Sequence, residues 1–276
     1  MPEPHKDRRV GLIAFGVLQL ILGVLTFVAL LSAQTRTLPN VAQTLFLCSA
    51  ATVYFVASGI GSIRGRRTAR ALIAAVSGAW TVVGVLALTV LVALRASSST
   101  LVWTAVLLAA LPLALTLFYS SRDTALTADE LDPQARWTDR APVPVLALCA
   151  VLAFSAVDLL MTAASERFTI FGRTLTGPPA ALAGIALSIL LAYVAIQAYR
   201  LREYAWWVLL LLHLIGGASS AIAFSRSTNS VASNPVMWTI AAAGWLGIAC
   251  FLIWLRRYFV RRGGEEATAP LLSTST

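Results

Sequence analysis

Ser121–Pro142 reads SRDTALTADELDPQARWTDRAP, the one long polar interval between the first and last apolar runs of the chain. Four hydrophobic segments precede it and four follow it, so it divides the 276 residues into two parts of similar length and design. The eight segments are Val10–Ser32, Gln43–Ile63, Ala71–Leu94, Leu101–Tyr119, Val143–Ala164, Ala180–Tyr199, Ala205–Ser225 and Val236–Leu255. A bilayer core about 30 Å thick takes about 20 apolar residues of helix. Backbone surrounded by lipid must bond to itself, and these runs lack the strict alternation of a membrane barrel, so each is expected to be a helix. The fold class that follows is all-α: a polytopic membrane protein with eight transmembrane helices.

Composition points the same way. With 58% hydrophobic and 12% charged residues and a mean hydropathy of +0.80, the chain is too apolar for a soluble domain of its length. With the N-terminus placed in the cytoplasm, Arg36, Arg95, Arg167, Arg173 and Arg226 are the outer members among 21 Lys and Arg. The remainder gather on the inner side, as the positive-inside rule requires. Both termini are then cytoplasmic, and a bacterial inner (plasma) membrane is the expected location. The net charge of +9 is accounted for by loops facing anionic headgroups, so the lipid bilayer is the partner it implies. Nucleic acid is not called for, because the arginines are dispersed with no folded basic domain behind them. The first run follows a basic start but lacks a small-x-small cleavage site, so it is expected to be a retained span. Cys48, Cys149 and Cys250 lie within spans without a CxxC pair and are expected to pack as small apolar residues.

The organisation expected is a first four-helix membrane half over 1–120, a cytoplasmic linker over 121–142, a second half over 143–262 and a disordered cytoplasmic tail over 263–276. In the linker, Asp132–Pro133 has the form of an N-cap and first helical residue. A short interfacial helix there would set Arg136, Trp137 and Arg140 near the headgroups. Trp206, Trp207, Trp103 and Trp238 fit aromatic belts at the span ends. The halves also match each other in order. Arg36-Thr37-Leu38 pairs with Arg173-Thr174-Leu175, Arg64-x-Arg66 with Arg200-x-Arg202, and Trp103-Thr104 with Trp238-Thr239, at nearly constant offset. An even number of spans per half would make the two parallel repeats about an axis along the membrane normal. Shared arginine turns and tryptophan belts in all membrane hairpins are the alternative source of these matches.

Chemistry-bearing residues inside the spans are few. On the first span Gly16, Gln19, Gly23 and Thr26 form a stripe suited to close helix contact. Asp158 is the single acidic residue of the spans, with Ser155 and Thr162 on its face. A carboxylate there costs about 2.5–3.5 kcal/mol on insertion scales, so it needs a reason. It could exchange protons in a transport cycle, bond a neighbouring helix, or meet water and Arg167 or Arg173 in an outer vestibule. His213 in span seven, with Gly216, Gly217 and Ser220 beside it, fits a hydrogen-bonded helix contact. One histidine and one carboxylate are too few for a zinc site, and one histidine too few for a b-type haem, so neither metal nor cofactor is expected. Pro112 in span four and Gly247 in span eight are candidate flex points in one register.

No P-loop, HExxH, GxSxG or Rossmann glycine pattern is present, so an enzyme is not expected, and an intramembrane enzyme stands as a distant third reading. The leading expectation is a structural or partner-binding membrane component, joined to another membrane protein or to its own copies. The alternative is a transporter of a small apolar, amphipathic or lipid-like molecule, proton-coupled through Asp158.

Overall fold

The computed structural model describes residues 6–34, 41–164, 167–226 and 235–268. Among them, eight helical stretches are long and apolar enough to cross a membrane, at Arg9–Ser32, Thr44–Ile63, Arg67–Ala93, Ser98–Ser120, Val143–Ala163, Pro178–Tyr199, Glu203–Arg226 and Val236–Val260. The chain thus has the helices of a multi-pass membrane protein, close to the segments expected from hydropathy. The elements are α1 (Arg9–Gln34), α2 (Val41–Ile63), α3 (Arg67–Ala93), α4 (Ser98–Thr104), α5 (Leu111–Ser120), α6 (Arg122–Leu131), α7 (Val143–Ala163), β1 (Arg167–Ile170), β2 (Arg173–Thr176), α8 (Pro178–Tyr199), α9 (Glu203–Arg226) and α10 (Pro235–Thr268). A π-helical turn, Ala105–Ala110, joins α4 to α5 within the fourth span. The last helix runs on to Thr268, past the Gly263–Gly264 pair.

Two compact units are formed, Met1–Thr81 with Ala110–Ala147, and Val82–Ala109 with Leu148–Thr276. In the first, α1 and α2 pack at backbone distance. A β carbon on Gly16 would stand 2.9 Å from the Gly59 carbonyl oxygen, and one on Gly59 would stand 2.8 Å from that of Gly16. Lipid offers helices no hydrophobic drive to associate, so contact must come from small residues that let polar groups meet. Ser62 Oγ donates to the Leu12 carbonyl at 2.7 Å, and Thr26 and Thr52 hydroxyls share a bond at 3.0 Å. The expected stripe on α1 therefore faces α2. Leu12, Ala69, Ile73, Ala74, Leu115 and Tyr119 form the core between α1, α3 and α5. Tyr119 is fully buried with its hydroxyl 2.5 Å from Ser62 Oγ. Since Ser62 spends its single proton on Leu12, Tyr119 is the donor of that bond.

In the second unit α8 meets α7 through Gly184, where a β carbon would come 2.8 Å from that of Ala163. Ser188 Oγ donates to the Ala156 carbonyl at 2.5 Å. Trp206 departs from the belt expected of it. It is buried, and its Nε1 donates to the Leu252 carbonyl of α10 at 2.6 Å, while Trp207 beside it stays exposed. An indole inside an apolar contact must find an acceptor, and the α10 backbone provides one.

One element was not foreseen. The loop after α7 forms an antiparallel hairpin, with Arg167 opposite Thr176 and Ile170 opposite Arg173. Its two-residue turn, Phe171–Gly172, has φ of 49° and 69°. Both central residues at positive φ give the turn whose twist matches a hairpin. The turn is tied to α9: Phe171 N donates to Ser219 Oγ at 2.8 Å, and Arg226 Nη1 donates to the Phe171 carbonyl at 3.2 Å.

Candidate functional site

The polar linker is a folded, ion-paired cap over helix ends of the first unit. Ser121 opens α6, its side chain accepting from Thr124 N, and Asp123 sits in the favourable first turn. Thr124, Thr127 and Ala128 form the buried face of α6. Thr127 Oγ1 accepts from Arg8 N at 3.1 Å, and Arg8 Nη2 reaches Asp123 Oδ2 at 3.3 Å. Arg67, opening α3, lies 2.9 Å from Asp129 and 3.4 Å from Asp139.

Asp132 differs from its expected role. It closes α6, its N–H bonding to the Ala128 carbonyl, instead of capping the start of a helix. Its carboxylate is taken by two other donors. Arg136 grips it in bidentate fashion at 2.6 and 3.0 Å, and Arg67 N–H donates at 3.3 Å. Only a 3₁₀ turn follows, Trp137–Arg140, with Arg136 N donating to Asp139 Oδ2 at 2.8 Å. The Arg136 guanidinium, against the cost of burial and helped by the Arg67 N–H, holds the Asp132 carboxyl below the usual carboxylate range. In return Asp132 raises the affinity of Arg136 for its proton.

The residues singled out inside the spans are placed as follows. Gln19 is buried in the first unit, its Oε1 3.4 Å from Ser58 Oγ. Ser155, Asp158 and Thr162 lie in the second unit on α7, each half-buried, and Asp158 is not without a partner. His213 Nε2 is 2.9 Å from the Trp245 carbonyl oxygen, with the two rings 4.5 Å apart. Gly216 and Gly217 leave room for the Trp245 ring, a β carbon on either coming 3.3 to 3.5 Å from it. Pro112 is buried at the start of α5, just after the π turn. α10 is α-helical through Gly247, where a β carbon would meet nothing within 4 Å. Among the described residues no three His, Cys, Asp or Glu converge as metal ligands would.

Proline has no N–H for the carbonyl four residues back, which for Pro112 is that of Leu108. That carbonyl points at α3, where a β carbon on Gly84 would fall inside its contact distance. A glycine on α3 thus accommodates backbone displaced by a proline on the next span.

Several of these features left signals in the sequence. The linker mixes signs (Arg122, Asp123, Asp129, Glu130, Asp132, Arg136, Asp139, Arg140) opposite the all-basic turn Arg64–Arg70, which is a pattern for pairing. RFTIFGRTLT, 167–176, carries β-branched and aromatic residues about a glycine-containing turn. The π turn has no such signal beyond Pro112 itself.

Comparison of the chain with protein-family models, with curated proteins and with solved structures finds no match. What the fold itself defines is a class, helical and multi-pass.

Proposed function

We propose that this is a non-enzymatic component of a bacterial inner membrane that acts by packing or partner binding, with both termini cytoplasmic. One observation carries the reading: polar side chains inside the spans are spent on helix contacts. His213 is bonded to Trp245, Ser62 to Leu12, Ser188 to Ala156 and Trp206 to Leu252, so each of these groups already joins one helix to another. The halves are parallel repeats in this reading. The order and near-constant offset of Arg64-x-Arg66 with Arg200-x-Arg202 and of Trp103-Thr104 with Trp238-Thr239 support it. Arg36-Thr37-Leu38, the partner of Arg173-Thr174-Leu175, lies outside the described residues.

The π turn before Pro112 favours a second reading, since such turns gather at functional sites. In it the protein transports a small apolar, amphipathic or lipid-like molecule, with Asp158 as the coupling group. Reconstitution into proteoliposomes separates the two. Partner binding predicts no flux of protons or of a panel of amphipathic dyes above empty vesicles, and no effect of Asp158→Asn. Flux that Asp158→Asn abolishes would establish the transporter instead. Reporters fused to each terminus test the orientation, and activity of either on the outer side refutes it.

A further inference from the structure

The ion pairs of the cap do not use all of its arginines. Arg8 is matched by Asp123, Arg67 by Asp129 and Asp139, and Arg136 by Asp132. Arg64 and Arg66, both exposed, make no ion pair or side-chain hydrogen bond among the described residues. Both line an open cleft of about 410 Å³ together with Leu131, Asp132, Pro133, Gln134 and Arg136. Asp132 is the single carboxylate of this lining, and it is already engaged by Arg136 and by Arg67 N–H. The lining therefore sets three guanidinium groups against one carboxylate, and the planar donor forks of Arg64 and Arg66 match the oxygens of a phosphate.

Its level follows from the chain. Arg64 directly follows Ile63, the last residue of the second span, and Arg66 directly precedes Arg67, the first of the third. Both arginines thus stand on the turn between two spans, the level at which headgroup phosphates are expected. Gly65, at positive φ between them, packs its backbone on Leu131, which fixes the turn against the cap. Exposed Leu131 and Trp137 offer apolar surface nearby of the kind found at bilayer interfaces.

We propose that this cleft binds the phosphate group of an anionic phospholipid, held between Arg64 and Arg66 at the basic face of the membrane. The site does not depend on whether the protein transports or binds a partner. Native mass spectrometry of the full chain in detergent, titrated with phosphatidylglycerol or phosphatidylcholine, tests it. Phosphatidylglycerol is retained preferentially by the native chain. At about 1 kcal/mol per arginine at a membrane surface, Arg64→Gln/Arg66→Gln weakens that binding roughly 30-fold and leaves phosphatidylcholine unchanged. Arg9→Gln/Arg122→Gln removes the same charge from exposed positions outside the cleft and retains tight binding. Arg66→Gln alone, the milder change should the double variant not fold, loses roughly five-fold. Inorganic phosphate that displaces the lipid at millimolar concentration would place the source in solution, and failure to displace it assigns the site to the lipid. Equal losses in the two double variants, or equal retention of the two lipids by the native chain, overturn the proposal.

Discussion

Replacing Gly84 by alanine tests how the third and fourth spans pack. On an isolated helix this change is favourable by about 0.5–1 kcal/mol, because alanine loses less backbone freedom. Here the new methyl would meet the Leu108 carbonyl oxygen and carbon and, at 3.0 Å, the Ala109 nitrogen. Those are backbone atoms, so no rotamer change relieves the contact and the helices must separate. Overpacking of this kind costs about 1–3 kcal/mol, which offsets the propensity gain and leaves a net loss of up to about 2.5 kcal/mol. Two other glycines serve as controls. A methyl on Gly78 comes no closer than 3.6 Å to Thr116 Cγ2, and one on Gly244 no closer than 3.7 Å to Leu86 Cδ2. Gly78→Ala and Gly244→Ala are therefore expected to be neutral or slightly stabilising. Pro112→Ala restores an N–H able to draw the Leu108 carbonyl back into its own helix, so it should recover part of the Gly84→Ala loss in a double-mutant cycle. Unfolding by sodium dodecyl sulfate in mixed micelles, followed by tryptophan fluorescence, measures the native chain and the five variants. If Gly84→Ala is as stable as Gly78→Ala, the contact between Gly84 and Leu108 does not exist in the membrane protein.

Two further expectations concern buried and capping polar groups. Ser62→Ala leaves the fully buried Tyr119 hydroxyl without its acceptor and should cost about 1–3 kcal/mol, whereas Tyr119→Phe, which leaves Ser62 bonded to Leu12, should cost about 0.5–1.5 kcal/mol. The reverse order in the same unfolding assay would mean that Tyr119 does not donate to Ser62. Because the folded pKa of Asp132 is depressed, its contribution is present above the unfolded carboxylate value of about 3.9 and lost as pH falls through the lower folded value. Cap stability, read from protection of Leu131–Arg140 amides against hydrogen exchange, should then be flat from neutral pH to about 5 and fall only in stronger acid. Asp132→Asn should lower the protection at neutral pH and flatten that acid limb, and an unchanged limb would refute the role given to Arg136.

The spans were legible because their signal is thermodynamic and local: a run such as Val143–Ala164 must be helical in lipid whatever it touches. The α7 helix ends at Ala163, one residue from that boundary. The start of α3 was harder, since the helix begins at Arg67, before the apolar run at Ala71. A hydropathy window cannot see a helical turn made of arginines. Asp132 misled for a related reason. Asp-Pro is a sound N-cap signal in isolation, but the residue's fate was decided by Arg136 four positions on and by Arg67 far back in the chain. Trp206 and Trp207 show the same limit, adjacent residues alike in sequence of which one is buried and the other exposed.

The acidity of the linker has its own physical cause. Arg67 and Arg70 sit in the first turn of α3, where the helix dipole already presents positive charge. Arg67 and Arg70 repel one another as soon as that turn forms. Asp129 and Asp139 lie against Arg67, Asp123 lies against Arg8, and the Asp132 carboxylate accepts the first N–H of α3 itself. The cap thus supplies at close range the negative charge that the end of α3 requires, while Arg64 and Arg66, on the turn beside it, make no ion pair among the described residues.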